Sequence, residues 1–179
     1  MISEEFLRLF KVKRLCQHLH VPIQSGDDEV LKAMGRKYRV TDIKRIFDSI
    51  TKYLPDANLG TDIIIGFPNE SEQAFLRTVK LLQELPINYI HIFPYSPRRG
   101  TIAYKLGDPI SSQVKKERIQ ILNELNFKKR HDYRKRFIGK KLEVIVESKN
   151  WAISDNYLRV KICDIEPKIG ELKEIVLTN

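Results

Sequence analysis

Leu59-Gly-Thr-Asp-Ile-Ile-Ile-Gly-Phe-Pro-Asn-Glu-Ser71 reads as three pieces in a row. Residues 59–66 form an apolar, isoleucine-rich run of strand length. Gly66-Phe67-Pro68-Asn69 supplies turn residues. Ser71 then stands where a helix N-cap belongs, ahead of Phe75, Val79, Leu82 and Leu85 at helical spacing. A strand apolar on both faces, as 61–66 reads, belongs inside a parallel sheet or barrel.

The same unit repeats on either side. Upstream, residues 17–23 alternate in polarity as a strand, and Ser25-Gly26-Asp27-Asp28 turns into a short helix through Val30, Leu31 and Met34. Thr41-Asp42 reads as the N-cap of a helix carrying Ile43, Ile46, Phe47, Ile50 and Leu54, which Pro55 ends. Downstream, Pro86 stops the helix begun at Ser71, and 88–94 is a third strand. Strand-helix-strand-helix-strand calls for parallel strands with helical crossovers. Three such strands leave an unpaired edge, so an α/β class is expected, as the last portion of a larger fold.

Ser111-Ser112 opens a long helix with Val114, Ile121, Leu122 and Leu125 on one stripe, running to about Phe137 before Gly139. Four short strands are then expected at 142–147, 151–154, 157–163 and 171–177, enough for a small β-barrel. The expected domains are 1–137 and 138–179.

The chain carries a net charge of +9. Residues 112–141 hold eleven Lys or Arg against Glu117, Glu124 and Asp132, whereas 142–179 are slightly acidic. So concentrated a basic segment fits a polyanion partner, or else a solvated helix face. No apolar run approaches membrane-spanning length, and no secretory signal is evident. Two cysteines, Cys16 and Cys163, far apart, make no disulfide framework; a cytoplasmic location is expected.

Ligands of parallel α/β folds sit at the C-terminal ends of the strands. Three turns fall there: Gln24-Ser25-Gly26-Asp27, Gly66-Phe67-Pro68-Asn69-Glu70, and Pro94-Tyr95-Ser96-Pro97-Arg98-Arg99-Gly100-Thr101. His18 and His20 lie two apart and share a face. No third group spaced as a ligand accompanies them, so they read as polar residues lining a barrel interior and no metal ligand is assigned. Trp151 and Tyr157 are either base-stacking or core aromatics.

Four strings in order carry a resemblance: His18-Leu-His-Val-Pro-Ile-Gln-Ser-Gly26, Leu31-Lys-Ala-Met-Gly-Arg-Lys-Tyr38, Thr61-Asp-Ile-Ile-Ile-Gly-Phe-Pro-Asn-Glu70 and Phe93-Pro-Tyr-Ser-Pro-Arg-Arg-Gly-Thr101. Together they resemble the methylthiotransferase branch of the radical S-adenosylmethionine enzymes. Asp155-Asn156-Tyr157-Leu158-Arg159-Val160 resembles the strand entry of the TRAM domain that ends such enzymes. The resemblance implies a partial radical-type β/α barrel followed by an all-β TRAM barrel. It also implies a reaction in which S-adenosylmethionine, cleaved at a [4Fe-4S] cluster, leads to methylthiolation of a modified adenosine next to the tRNA anticodon. The Phe93-to-Ser96 wording is closest to threonylcarbamoyladenosine-modifying members, with the isopentenyladenosine type as runner-up.

By that resemblance Gln24, Ser25, Gly66 and Glu70 help seat S-adenosylmethionine. Tyr95 and Arg98 face the substrate, while Lys128, Lys129, Arg130 and Tyr157 meet tRNA. The family's C-x3-C-x2-C cluster motif is absent. The chain is therefore expected to be a C-terminal fragment, inactive alone, whose partners are tRNA and the missing N-terminal half; a non-catalytic RNA-binding protein is the alternative. Asn69 stands where the family has glycine, which asks asparagine for a positive φ.

Overall fold

A computed structural model describes residues 2–12, 15–162 and 168–178. Its first sheet contains β1 (His18–His20), β2 (Asn58–Ile65) and β3 (Tyr89–Pro94), parallel and in that order. Helices α3 (Val40–Tyr53) and α4 (Glu72–Glu84) make the crossovers, as the sequence order predicts. Two shorter helices precede them, α1 (Glu4–Leu9) and α2 (Asp28–Ala33). Leu59, Ile63, Ile65 and Ile90 pack with Phe47, Ile50, Phe75 and Leu82 into the main core. Side chains alternate along each strand, so that sealed face holds the odd positions of β2.

Three local expectations change. Strand β1 is shorter than 17–23. Pro22 has no N–H for the ladder, and Thr61 bridges the gap: its hydroxyl donates to Val21 O at 2.7 Å and accepts from Ile23 N at 3.2 Å. The helix expected to begin at Thr41-Asp42 starts earlier, with Arg39 as N-cap, and Asp42 instead reaches back to accept from Arg39 N at 3.0 Å. Strand β2 is not apolar on both faces. Its sealed side is apolar except for Thr61, while Asn58 and Asp62 stand on the opposite side with His18, His20, Tyr89 and His91.

Helix α5 (Ser112–Lys135) lies against β3. The Asn126 side chain accepts from Ile90 N at 2.8 Å and donates to Ile90 O at 3.0 Å, so one amide satisfies the strand edge as a neighbouring strand would. Among the described residues no strand pairs with the outer edge of β1.

After α5 come β4 (Lys141–Ser148), β5 (Trp151–Ser154), β6 (Arg159–Lys161) and β7 (Leu172–Val176), antiparallel in the order β6-β5-β4-β7. The strand expected at 157–163 narrows to three residues, because 155–158 form a turn; Cys163 lies outside the described residues. Among the described residues the four strands form one sheet in which β6 and β7 do not pair, so closure into the expected barrel is not shown. Its core takes in Tyr133 and Phe137 from the end of α5. The sheet also meets the first unit at the start of its strands, where Gln17 N donates to Asp155 O at 2.8 Å and Tyr133 Oη to Asp56 O at 2.8 Å. Among the described residues no helix is long and apolar enough to cross a membrane.

Candidate functional site

The three turns expected to carry ligands do stand at the C-terminal ends of β1, β2 and β3, but much of their polar chemistry is engaged in the fold. Ser25 is buried; its hydroxyl accepts from Asp27 N at 3.2 Å and lies near Thr78. Gly26 donates to Thr78 Oγ1 at 2.9 Å, and a Cβ there would come within 2.5 Å of the Thr78 Cα, so this turn is pressed onto α4. Gln24 has φ +66° and bridges to Ile63 through its backbone. Glu70 is buried; its Oε2 accepts from Gly66 N at 2.8 Å and from Arg118 Nη1 at 2.6 Å. Burial pushes its carboxyl above the ordinary value, opposed by Gly66 N–H and the Arg118 guanidinium. Gly66 turns at φ +77° with the Lys115 stem behind it, and Asn69 takes the positive φ its position demands, +73°. Tyr95 donates to Ala103 O at 2.9 Å, while Arg98 is exposed.

These residues fit S-adenosylmethionine only in part. Ser25 and Glu70 are closed off, and the glycine hollow at Gly66 is filled by Lys115. Glu70 Oε1 and Arg118 Nε are buried without hydrogen-bond partners, both within one ion pair. A [4Fe-4S] cluster does not fit this chain's own residues, since it needs several thiolates together and the sequence holds two distant cysteines.

The open chemistry lies on the other face of the sheet. There a cleft of about 1090 Å³ is bounded by the strands, the C-terminal half of α5 and the 155–159 turn. His18 Nε2 lies 2.7 Å from Tyr89 Oη, which lies 3.1 Å from His20 Nδ1; His20 Nε2 lies 2.8 Å from Asp62 Oδ1. His91 Nδ1 approaches the same Oδ1 at 3.3 Å. Burial, then the neighbouring His20, holds the His18 imidazole below its ordinary value. Tyr157 takes φ +64°, rare for a bulky residue, and its ring stacks on His18 at 4.2 Å. Asp62 is the one carboxylate among the lining residues, against Arg130, Arg134 and Arg159.

The residues expected to meet tRNA separate. Arg130 and Tyr157 line this cleft. Lys128 is exposed on the helix and pairs with Asp132 at 2.6 Å. Lys129 is half-buried, donates to Leu85 O at 2.9 Å, and burial brings its pKa down to about 8. Lys115 and Arg118, buried, hold the Tyr95 and Glu70 turns. The basic helix is thus partly a brace. Trp151 is not a core residue: it is exposed, under the Arg159 guanidinium at 4.7 Å.

Asp62, Tyr89 and His91 were not singled out by sequence reading. The signal was present. Strand period two places 18 and 20 on one face, and the parallel register of His20 with Gly60 and of Asp62 with His91 brings the others beside them.

Residues 1–82 match the family described as the Radical SAM superfamily. The threonylcarbamoyladenosine tRNA methylthiotransferase of Thermotoga maritima is 42 % identical over 147 residues, 82 % of this chain and 34 % of that protein. A probable threonylcarbamoyladenosine tRNA methylthiotransferase of Methanocaldococcus jannaschii is 35 % identical over 179 residues, 100 % of this chain and 41 % of that protein. The chain therefore spans well under half the length of the relatives it matches. In fold it is similar to coproporphyrinogen III oxidase of Escherichia coli, described as a radical SAM enzyme, with TM-score 0.59 at 19 % identity, covering 72 % of this chain and 30 % of that one. Residues 1–82 thus carry a match to the Radical SAM superfamily, and over 82–100 % of its length the chain is similar in sequence to threonylcarbamoyladenosine tRNA methylthiotransferases.

Proposed function

We propose that this chain is the C-terminal portion of a tRNA methylthiotransferase acting on threonylcarbamoyladenosine next to the anticodon. It supplies one wall of the barrel and an RNA-binding cleft. The cluster-bearing part, and with it the site that cleaves S-adenosylmethionine, comes from a segment other than residues 1–179. Residues 138–179 act as the TRAM-like module, helping to form the cleft. Gln24 is the rim residue best placed to touch S-adenosylmethionine, with Gly66 shaping the turn below it. Tyr95 and Arg98 lie toward the substrate.

The observation that carries this reading is the cleft. It joins stacked rings, His18 and Tyr157, to three arginines, on the polar face of a sheet whose motifs match the methylthiotransferases. Aromatic faces take bases and guanidinium groups take phosphates, a combination suited to a single-stranded loop. Two cysteines alone favour a second reading, a non-catalytic RNA-binding role for the isolated chain.

Fluorescence anisotropy with an anticodon stem-loop tests the proposal. The stem-loop carrying threonylcarbamoyladenosine is expected to bind more tightly than one with plain adenosine. Equal binding of both would favour the second reading, and no binding of either would reject the RNA partner. Supplying the cluster-bearing segment of a relative should then yield methylthiolated tRNA by mass spectrometry.

A further inference from the structure

We propose that His20, Asp62 and His91 form a binding site for one divalent transition-metal ion on the open face of the parallel sheet. The proposal goes beyond the tRNA reading and does not rest on it. The three residues come from three adjacent strands, and their ligand atoms all lie within 4.8 Å of one another.

Asp62 Oδ1 stands 2.8 Å from His20 Nε2 and 3.3 Å from His91 Nδ1. Neighbouring ligands of a tetrahedral zinc with bonds of about 2.0–2.1 Å stand ~3.3 Å apart, so two edges of a coordination polyhedron are already near length. The third edge closes by turning the His91 ring, whose side chain is 57 % exposed.

The second observation is orientation. A ligating imidazole usually donates its other N–H to a fixed acceptor, which sets tautomer and ring plane. His20 Nδ1 has that acceptor in Tyr89 Oη, which in turn reaches His18 Nε2. Without metal, the tautomers that satisfy every contact run the donors from His18 Nε2–H through Tyr89 O–H to His20 Nδ1, with His20 Nε2–H on Asp62. With metal on Nε2, both hydrogen bonds reverse and remain satisfied.

Two imidazoles and one carboxylate favour zinc, iron, cobalt or nickel over magnesium or calcium, and leave ligand positions open to the cleft. The arginines of the same cleft oppose a cation, so selectivity rests on the nitrogen ligands rather than on net charge.

The test is titration of the untagged full chain with Co²⁺ alone, followed by its visible absorption, then displacement by Zn²⁺. One saturable equivalent is expected. D62N, nearly isosteric, and H91A, a change at an exposed position, should each abolish it. Y89F should weaken binding about 10–100-fold, as loss of an orienting partner does. H131A removes another cleft histidine and should leave it unchanged. Circular dichroism establishes that each variant is folded. Absence of saturable binding by the wild type, or equal binding by D62N, or equal loss in H131A, would overturn the proposal.

Discussion

The rim of the parallel sheet and its open face are built from the same strands, yet they use their polar residues in opposite ways. On the rim, Ser25, Glu70, Lys115 and Arg118 are buried and bond to one another or to the backbone. On the open face, His20, Asp62 and His91 are half-buried or exposed. The rim holds motif residues because the turns must be held. The open face holds residues whose chemistry is still available to a ligand.

Arg118→Ala should break this contrast most visibly. It leaves Glu70 buried without its cation, and loss of one partner of a buried pair costs about 3–5 kcal/mol. Urea denaturation measures it. A loss below ~1 kcal/mol would mean that the Arg118–Glu70 pair does not brace the rim.

Ser25→Ala against His91→Ala sharpens the comparison at smaller scale. Removing the Ser25 hydroxyl deprives the buried Asp27 N–H of its acceptor, for about 1–3 kcal/mol. Removing the exposed His91 ring should change stability by no more than about 0.5 kcal/mol. Thermal denaturation of both variants should rank them in that order.

The smallest effect is in pH. Between about pH 8 and the ordinary lysine value of 10.5, the unfolded chain keeps a proton on Lys129 that the folded chain has lost. Stability therefore rises with pH through that window. Burial of Tyr133 holds its hydroxyl above the ordinary 10.0, so the unfolded chain ionises first and stability falls as pH climbs further. Lys129→Met should flatten the rise and leave the fall. Denaturation midpoints across this range are the readout.

Much of the fold was legible because hydrophobic period and turn residues are local signals. Ser71 caps α4 as read, Ser111 caps α5, and Asn69 adopts the φ its turn demands. Strand β1 stops short of the alternating run at 17–23 because Pro22 offers no N–H to the ladder, which alternation alone does not show. Closure of the final sheet depends on long-range pairing, which no local pattern encodes. Family likeness came from contiguous strings, such as Thr61 to Glu70, which sequence displays directly. The open-face cluster did not, since His20, Asp62 and His91 meet only once the parallel register is known. In the basic helix charge is visible in sequence, but burial of Lys115, Arg118 and Lys129 by neighbouring elements is not.

The most direct measurement compares the cleft with the outer helix face in tRNA binding as salt is varied. Each phosphate contact contributes about 0.7–0.9 to the slope of log affinity against log salt. Arg130→Ala, Arg134→Ala and Arg159→Ala together should flatten that slope by about 2–3, while Lys128→Ala, already paired with Asp132, should barely move it. A slope unchanged by the three cleft substitutions, or flattened as much by Lys128→Ala, would contradict the assignment of the cleft as the RNA site.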